Sequence, residues 1–364
     1  MTHRSADDLV RVEWNPPLPR ELPGIREDLV ESTMNPLVHL GTARMLAAGR
    51  GTITLPEIAP DTAATILLSE ERTRLAGARL YSLTDEMTHV SIAAGKKLPS
   101  YAVHRDDVPS TCGLMMFGEP IGNYRIDSPD GSPRIVSIVA ASWGPTQLVQ
   151  EPAEHLWVTF WSLVHHDVGI RAFQNSGLSL RDARKLQYSQ GDYCWDNEVL
   201  LTYDQAEVRV ATADGESTVV DPSQRNLTAN TTIEWIQTVR AAWLLMKQKT
   251  QRPVADVADE PLSKTVRRQL RRKGYNDDPI RVVTLHHHRQ TRTTRERPSG
   301  YTVTVRSKVE GHVRWQPYRS RGVIEPIWID DHVRGPKDAP WSPHQTTVTV
   351  VDRPPGGRPP GGGK

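Results

Sequence analysis

From about Tyr101 onward the chain is written in short apolar runs, each closed by Gly, Pro, Asp or Ser, and this punctuation constrains its fold more than any other feature. Residues 114–117, 135–143 and 156–163 are strand-length and rich in β-branched and aromatic side chains. Short runs joined by turns pair with their neighbours, so they predict a mostly antiparallel sheet. Ser128-Pro129-Asp130-Gly131 is a strong hairpin turn, while Ser142-Trp143-Gly144-Pro145 reads as a further turn. Residues 193–203 and 208–211 extend the strand pattern.

Helical spacing dominates before that point. Leu37, Leu40, Ala43, Met45 and Ala47 form a stripe over 37–48, ended by Gly49 and Gly51. Asp61 suits an N-cap, and Ile66, Leu67, Leu75, Ala78 and Leu80 recur near helical spacing, with Glu70, Glu71, Arg72 and Arg74 on the wet side. The pattern resumes after a break from Asp85 to Gly95. The clearest helix is 230–249, N-capped by Asn230, with a broad apolar face. A shorter basic helix over 263–273 is closed by Gly274 in the left-handed conformation. Strand-like runs come next at 280–285, 301–309, 311–315, 323–329 and 346–351.

The expected fold is therefore α+β: N-terminal helices, a mostly antiparallel sheet in the middle and C-terminal third, and one long amphipathic helix near 230–249. The expected organisation is an extended Pro-rich lead-in at 1–25, a main domain at 26–260, a basic β-rich subdomain at 261–351 and a disordered Pro/Gly tail at 352–364. A chain of 364 residues is long enough for more than one core. The apolar fraction is 37 % and mean hydropathy is −0.51, and no run approaches the length of a membrane span. Two cysteines, Cys112 and Cys194, with no apolar leader, point to a reducing, cytoplasmic setting without structural disulfides. No phosphate-binding glycine loop, nucleophile elbow or zinc-binding spacing is present, so no cofactor and no metal are expected. His165-His166-Asp167 reads as a strand-end turn, since adjacent histidines on a strand point to opposite faces.

Charge is unevenly placed. Residues 1–263 hold 24 Lys+Arg and 34 Asp+Glu, a net of −10, whereas residues 264–335 hold 17 and 7, a net of +10. The block peaks at Arg267, Arg268, Arg271, Arg272 and Lys273, which lie on one side of a helix. A basic loop succeeds it at 286–297 with His286, His287, His288, Arg289, Arg292, Arg295 and Arg297. Such a block suits a phosphate backbone, whose counterions are released on binding. Tyr275, Tyr301, Trp315, Tyr318, Trp328 and Trp341 are nearby candidates for stacking bases. Equally, the block suits solvent, an acidic protein partner or the chain's own acidic part.

Candidate chemistry is confined to the C-terminal run. Two strands joined near Arg321-Gly322 would bring His312, Arg314, Tyr318 and His332 close, a set suited to phosphodiester cleavage with His as acid/base and Arg on the phosphate. The simpler reading is a two-faced hairpin that packs Val313, Trp315, Ile327 and Ile329 inward.

The same stretch carries a resemblance. His312, Arg314, Trp315, Pro317, Tyr318, Ser320, Trp328, Ile329, Gly335 and Pro336 resemble the C-terminal signature of a family of actinobacterial plasmid- and prophage-associated proteins. Residues 244–281 are similar to the same group. The resemblance covers about the last third of the chain and implies a bacterial mobile-element setting, without a mechanism. The leading expectation is a nucleic-acid-associated protein of such an element. Alternatives are a protein-interaction module of an antitoxin-like or phage-defence system, and a His/Arg-dependent nuclease.

Overall fold

In a computed structural model the described residues are 10–52, 58–99, 102–127, 133–148, 154–211, 217–220, 231–248, 253–286, 306–309, 311–318, 323–329, 332–336 and 339–341. They divide into two compact units, Met1–His288 with Val313–Trp328, and Arg289–His312 with Ile329–Lys364.

The larger unit is built on a mixed sheet of eleven described strands. In chain order these are β1 (Val10–Arg11), β2 (Arg79–Leu83), β3 (Gly113–Met116), β4 (Gly122–Asp127), β5 (Pro133–Pro145), β6 (His155–Leu163), β7 (Tyr193–Thr202), β8 (Val208–Ala211), β9 (Ser217–Val220), β10 (Ala255–Glu260) and β11 (Ile280–Leu285). Their spatial order is β10-β11-β2-β3-β5-β6-β7-β8-β9, with β1 and β4 both on β5. Along that order from β3 to β9 every pair is antiparallel, as is β4 on β5, whereas β1 lies parallel to β5. At the other end β11, β2 and β3 run parallel. Parallel neighbours need a crossover, and α4 (Asp85–Gly95) supplies the one between β2 and β3. The sheet places β10 and β11 side by side, so residues on both sides of the expected 260/261 boundary share one ladder.

Helices cover both faces. On one side α4 packs on α7 (Thr231–Met246), where Trp235, Ile236, Val239, Ala242, Trp243 and Leu245 are buried. The two helices approach so closely at Gly95 that a Cβ there would lie 2.8 Å from the Gln237 backbone. Trp143 of β5 meets Trp243 edge-on, ring centroids 5.2 Å apart. On the opposite face α1 (Leu22–Ser32) and α3 (Pro60–Ala76) bury Leu22, Leu29 and Leu75 beside Trp161 of β6. Between them in sequence, α2 (Pro36–Ala47) is capped by the Asn35 side chain and buries no residue of its own.

Several expectations need correction. The lead-in ends earlier than expected, since a 3-10 turn at Pro19–Glu21 runs into α1. Leu80 lies on β2, because α3 stops at Gly77 and the apolar spacing beyond it is a buried strand. The segment from Ser142 to Pro145 is not a turn but the end of β5. Glu71 and Arg74 do not face water. Arg74 donates to Glu71 Oε2 from Nε and Nη2, Ser142 Oγ donates to Glu71 Oε1 at 2.6 Å, and Thr159 Oγ1 donates to Glu71 Oε2 at 2.9 Å. Two buried charges persist there because both Glu71 oxygens and all three Arg74 nitrogens find a partner, Nη1 donating to Glu70 Oε2 at 3.0 Å. After β6 the chain does not simply turn but forms α5 (His166–Asn175) and α6 (Leu180–Tyr188), packed together.

In the smaller unit β12 (Ser307–Val309) pairs antiparallel with β15 (His332–Arg334), and Arg306 lies over the Trp341 ring. The strands β13 (His312–Tyr318) and β14 (Val323–Ile329), which apart from His312 and Ile329 belong to the larger unit, form a separate two-stranded sheet. The hairpin turn at 128–131, the turn at 321–322, the expected cap Asn230, the strands expected at 301–305 and 346–351, and the tail lie outside the described residues. Among the described residues no helix is long and apolar enough to cross a membrane.

Candidate functional site

The basic helix is α8 (Lys264–Lys273), and its sequence explains both of its ends. The Ser263 hydroxyl accepts from the Val266 N–H, satisfying one orphan donor of the first turn. Gly274 closes the helix at φ 74°, a conformation that a Cβ disfavours. Leu270 is the one fully buried side chain of α8 and Val266 beside it is half-buried, so the other eight residues face water.

The loop after α8 fixes the helix in place. The buried Arg26 guanidinium donates to the Ala78 carbonyl at 2.9 Å and to the Asn276 carbonyl at 2.8 Å. Its ring neighbour is Tyr275, 5.3 Å from the guanidinium carbon. Burial pulls the Arg26 pKa down to about 10, with the nearby Glu27 charge opposing that shift. Asn276 N–H also donates to the Ala76 carbonyl. The loop from α8 into β11 is thereby tied to α1 and to the end of α3.

The cations on α8 fall into two sets. Arg267 and Arg271 both donate to Asp277 Oδ2, at 3.3 and 2.8 Å, and Lys273 donates to Glu27 Oε2 at 2.7 Å. Against the desolvation of the carboxylate, the two guanidinium groups hold Asp277 below its ordinary pKa. The hydrogen bond to Glu27 raises that of Lys273. The cations of α8 are thus exposed but not all uncompensated, because the loop folds Asp277 back onto the helix. Lys264, Arg268 and Arg272 form the second set. They are exposed, and no carboxylate among the described residues pairs with them. At about 100° per residue, Arg268 and Arg272 lie about 160° around the axis from Leu270, so they face directly away from the core. The three repeat every fourth residue, about 6 Å apart along the axis. Lys264 was missed by counting charge density alone, and its i, i+4 spacing from Arg268 is the signal that finds it.

The second half of the expected interface, Arg289, Arg292, Arg295 and Arg297 with His287 and His288, lies outside the described residues. His286 meets Asp256 Oδ2 through Nδ1 at 2.7 Å. Most of the expected stacking rings are engaged elsewhere. Trp315 is half-buried and donates to the Ala94 carbonyl, Tyr275 and Trp328 pack against cores, and Trp341 carries Arg306. Tyr318 is half-buried, and Tyr301 lies outside the described residues.

The expected cleavage set is distributed over both units, with His312 and His332 in the smaller and Arg314 and Tyr318 in the larger. Arg314 is exposed and donates to Gln316 Oε1, two residues along its own strand. Val313 is buried and Trp315 packs inward, as the two-faced hairpin requires, but on β14 Pro326 is buried and Trp328 packs against the core in place of Ile327 and Ile329. His332 stands opposite Val309 in the β12–β15 ladder. His165 and His166 turn to different partners. His165 Nε2 meets the Ile135 carbonyl, and His166 Nε2 meets Asp192 Oδ1. Among the described residues no three His, Cys, Asp or Glu side chains are grouped to hold a metal.

A polar cleft of about 720 Å³ is bordered by Arg105, Ser110, Thr111, Glu154, His155 and Tyr203. Arg105 lies over the Tyr203 ring and forms an ion pair with Glu154, so its charge is already matched. Neither a protein-family model nor a curated protein matches this chain.

Proposed function

We propose that the protein binds a nucleic-acid backbone through α8. The observation that carries this reading is the stripe Lys264, Arg268 and Arg272, exposed and without a carboxylate partner among the described residues, on a helix whose far side is anchored by Leu270 and whose exit is held by Arg26. Backbone phosphates reward cations held at fixed spacing, because binding releases counterions and little side-chain order is left to lose. Arg267 and Arg271 add to the surface. Their bonds to Asp277 are exposed, and exposed ion pairs exchange readily for a stronger anion. Arg289, Arg292, Arg295 and Arg297 extend the same charge in sequence. The setting in a bacterial mobile element, in the cytoplasm, rests on the C-terminal signature and on the two cysteines, and it fits this reading.

The pairing of Lys273 with Glu27 favours one competitor, a basic surface that docks on carboxylates of a protein partner. Capture of partners with and without nuclease separates the two. Material lost on nuclease treatment supports nucleic acid, and material that survives supports a protein. Retention on nucleic acid that is unchanged in the Lys264→Gln, Arg268→Gln, Arg272→Gln variant contradicts the proposal.

A further inference from the structure

A second site lies beneath α2, where a cavity of about 270 Å³ separates that helix from the sheet. Val38 and Met45 of α2, with Leu67 and Leu68 of α3, give it apolar walls, and Trp161, Tyr193 and Trp195 give it aromatic ones. Gly41 stands at its edge in the middle of α2, and a Cβ there would meet nothing within 4 Å. A mid-helix glycine costs about 1 kcal/mol relative to alanine, so the sequence leaves this space open against helix propensity.

The cavity also borders Glu198, a buried residue of β7. Its Oε1 accepts from the Thr52 N–H and its Oε2 from the Trp195 indole, both at 2.9 Å. No cation pairs with it among the described residues, and burial and the neighbouring Glu71 charge both push its pKa up. Glu71 is itself matched by Arg74. Among the described residues no Lys, Arg or His borders the cavity, whereas Asp196 does. A buried carboxylate without a counter-ion is costly, and each of its oxygens keeps a lone pair beyond the bond it accepts.

We propose that this cavity binds a small organic cation with an apolar body, its charge held by Glu198 and the faces of Trp161, Trp195 and Tyr193. Aromatic faces attract cations through their quadrupoles, most strongly where water is excluded. The volume is just below the ~300 Å³ at which drug-sized sites begin, so the ligand is of single-ring size. The site is independent of α8 and of nucleic-acid binding.

Calorimetric titration of the full chain with benzyltrimethylammonium, and in parallel with neutral benzyl alcohol, tests the proposal. The cation should bind at least tenfold more tightly than the alcohol and quench tryptophan fluorescence. Glu198→Gln should weaken the cation at least tenfold while sparing the alcohol. Gly41→Leu, which fills the mouth without touching the carboxylate, should abolish binding of both and leave the fold intact, so a misfolded Glu198 variant does not decide the matter. Equal affinity for cation and alcohol, undiminished binding in Gly41→Leu, or no heat with the cation at millimolar concentration overturns it.

Discussion

Arg26 and Asn276 are 250 positions apart, yet a 2.8 Å hydrogen bond joins the guanidinium of one to the carbonyl of the other. Through it the first long helix of the chain holds the loop on which the basic helix α8 ends. The proposed interface therefore depends on a residue that touches no ligand.

Replacing Arg26 with Met keeps much of the apolar stem but leaves the carbonyls of Ala78 and Asn276 without their donors. Each orphaned buried acceptor costs about 1–3 kcal/mol, so a loss of about 3 kcal/mol is expected in urea unfolding. Amide exchange in α8 and the 274–279 loop should rise with it. An unchanged midpoint would mean that the anchor is incidental.

Glu71→Ala leaves the Arg74 guanidinium buried with its principal partner gone, together with Ser142 and Thr159. Breaking a buried pair from one side typically costs about 3–5 kcal/mol. Arg74 keeps Glu70, which is partly exposed. Glu70→Ala should cost much less, and comparing the two by thermal unfolding checks the assignment. Equal losses would contradict it.

Little of that network is legible in the sequence. Glu70, Glu71, Arg72 and Arg74 look like a wet face, and the residues that take two of them inside, Ser142 and Thr159, are more than seventy positions away on β5 and β6. The fold class and the inner strands were readable because 135–143 and 156–163 have strand length and strand composition. The ends of α8 were readable because Ser263 and Gly274 act locally. Asp277 escaped because its bonds to Arg267 and Arg271 depend on how the loop turns back. The strand β10 escaped because three of its six residues are acidic. Glu198 looked like any strand residue, and the cavity beside it arises from helices that carry no signal of it.

Gly113 faces the ring of Trp143, and a Cβ there would fall 2.1 Å from it. Trp143 is fully buried and fixed by its indole bond to the Ser110 carbonyl, so the ring cannot yield cheaply. Gly113→Ala should destabilise the protein by about 1–3 kcal/mol through overpacking. Chemical denaturation at constant m-value reads this, and a neutral outcome would show that the ring moves.

Asp196 accepts from the Tyr124 hydroxyl at 2.5 Å, and burial raises its pKa from 3.8 to about 6, the Tyr124 bond opposing the rise. A carboxyl that is more basic folded than unfolded binds its proton more tightly in the native state. Its contribution is then present in full below about pH 4 and is lost as pH rises to about 6. Unfolding midpoints between pH 4 and 7 should carry this slope in the native protein and lack it in Asp196→Asn. Parallel profiles would contradict the assignment.

Binding of a labelled DNA duplex, measured across a salt series for the native chain and for the Lys264→Gln, Arg268→Gln, Arg272→Gln variant, tests the central claim most directly. Each phosphate contact contributes a slope of about 0.9 in log affinity against log salt, so the variant should lose about 2–3 from the slope as well as affinity. Superimposable salt dependences would contradict binding through α8.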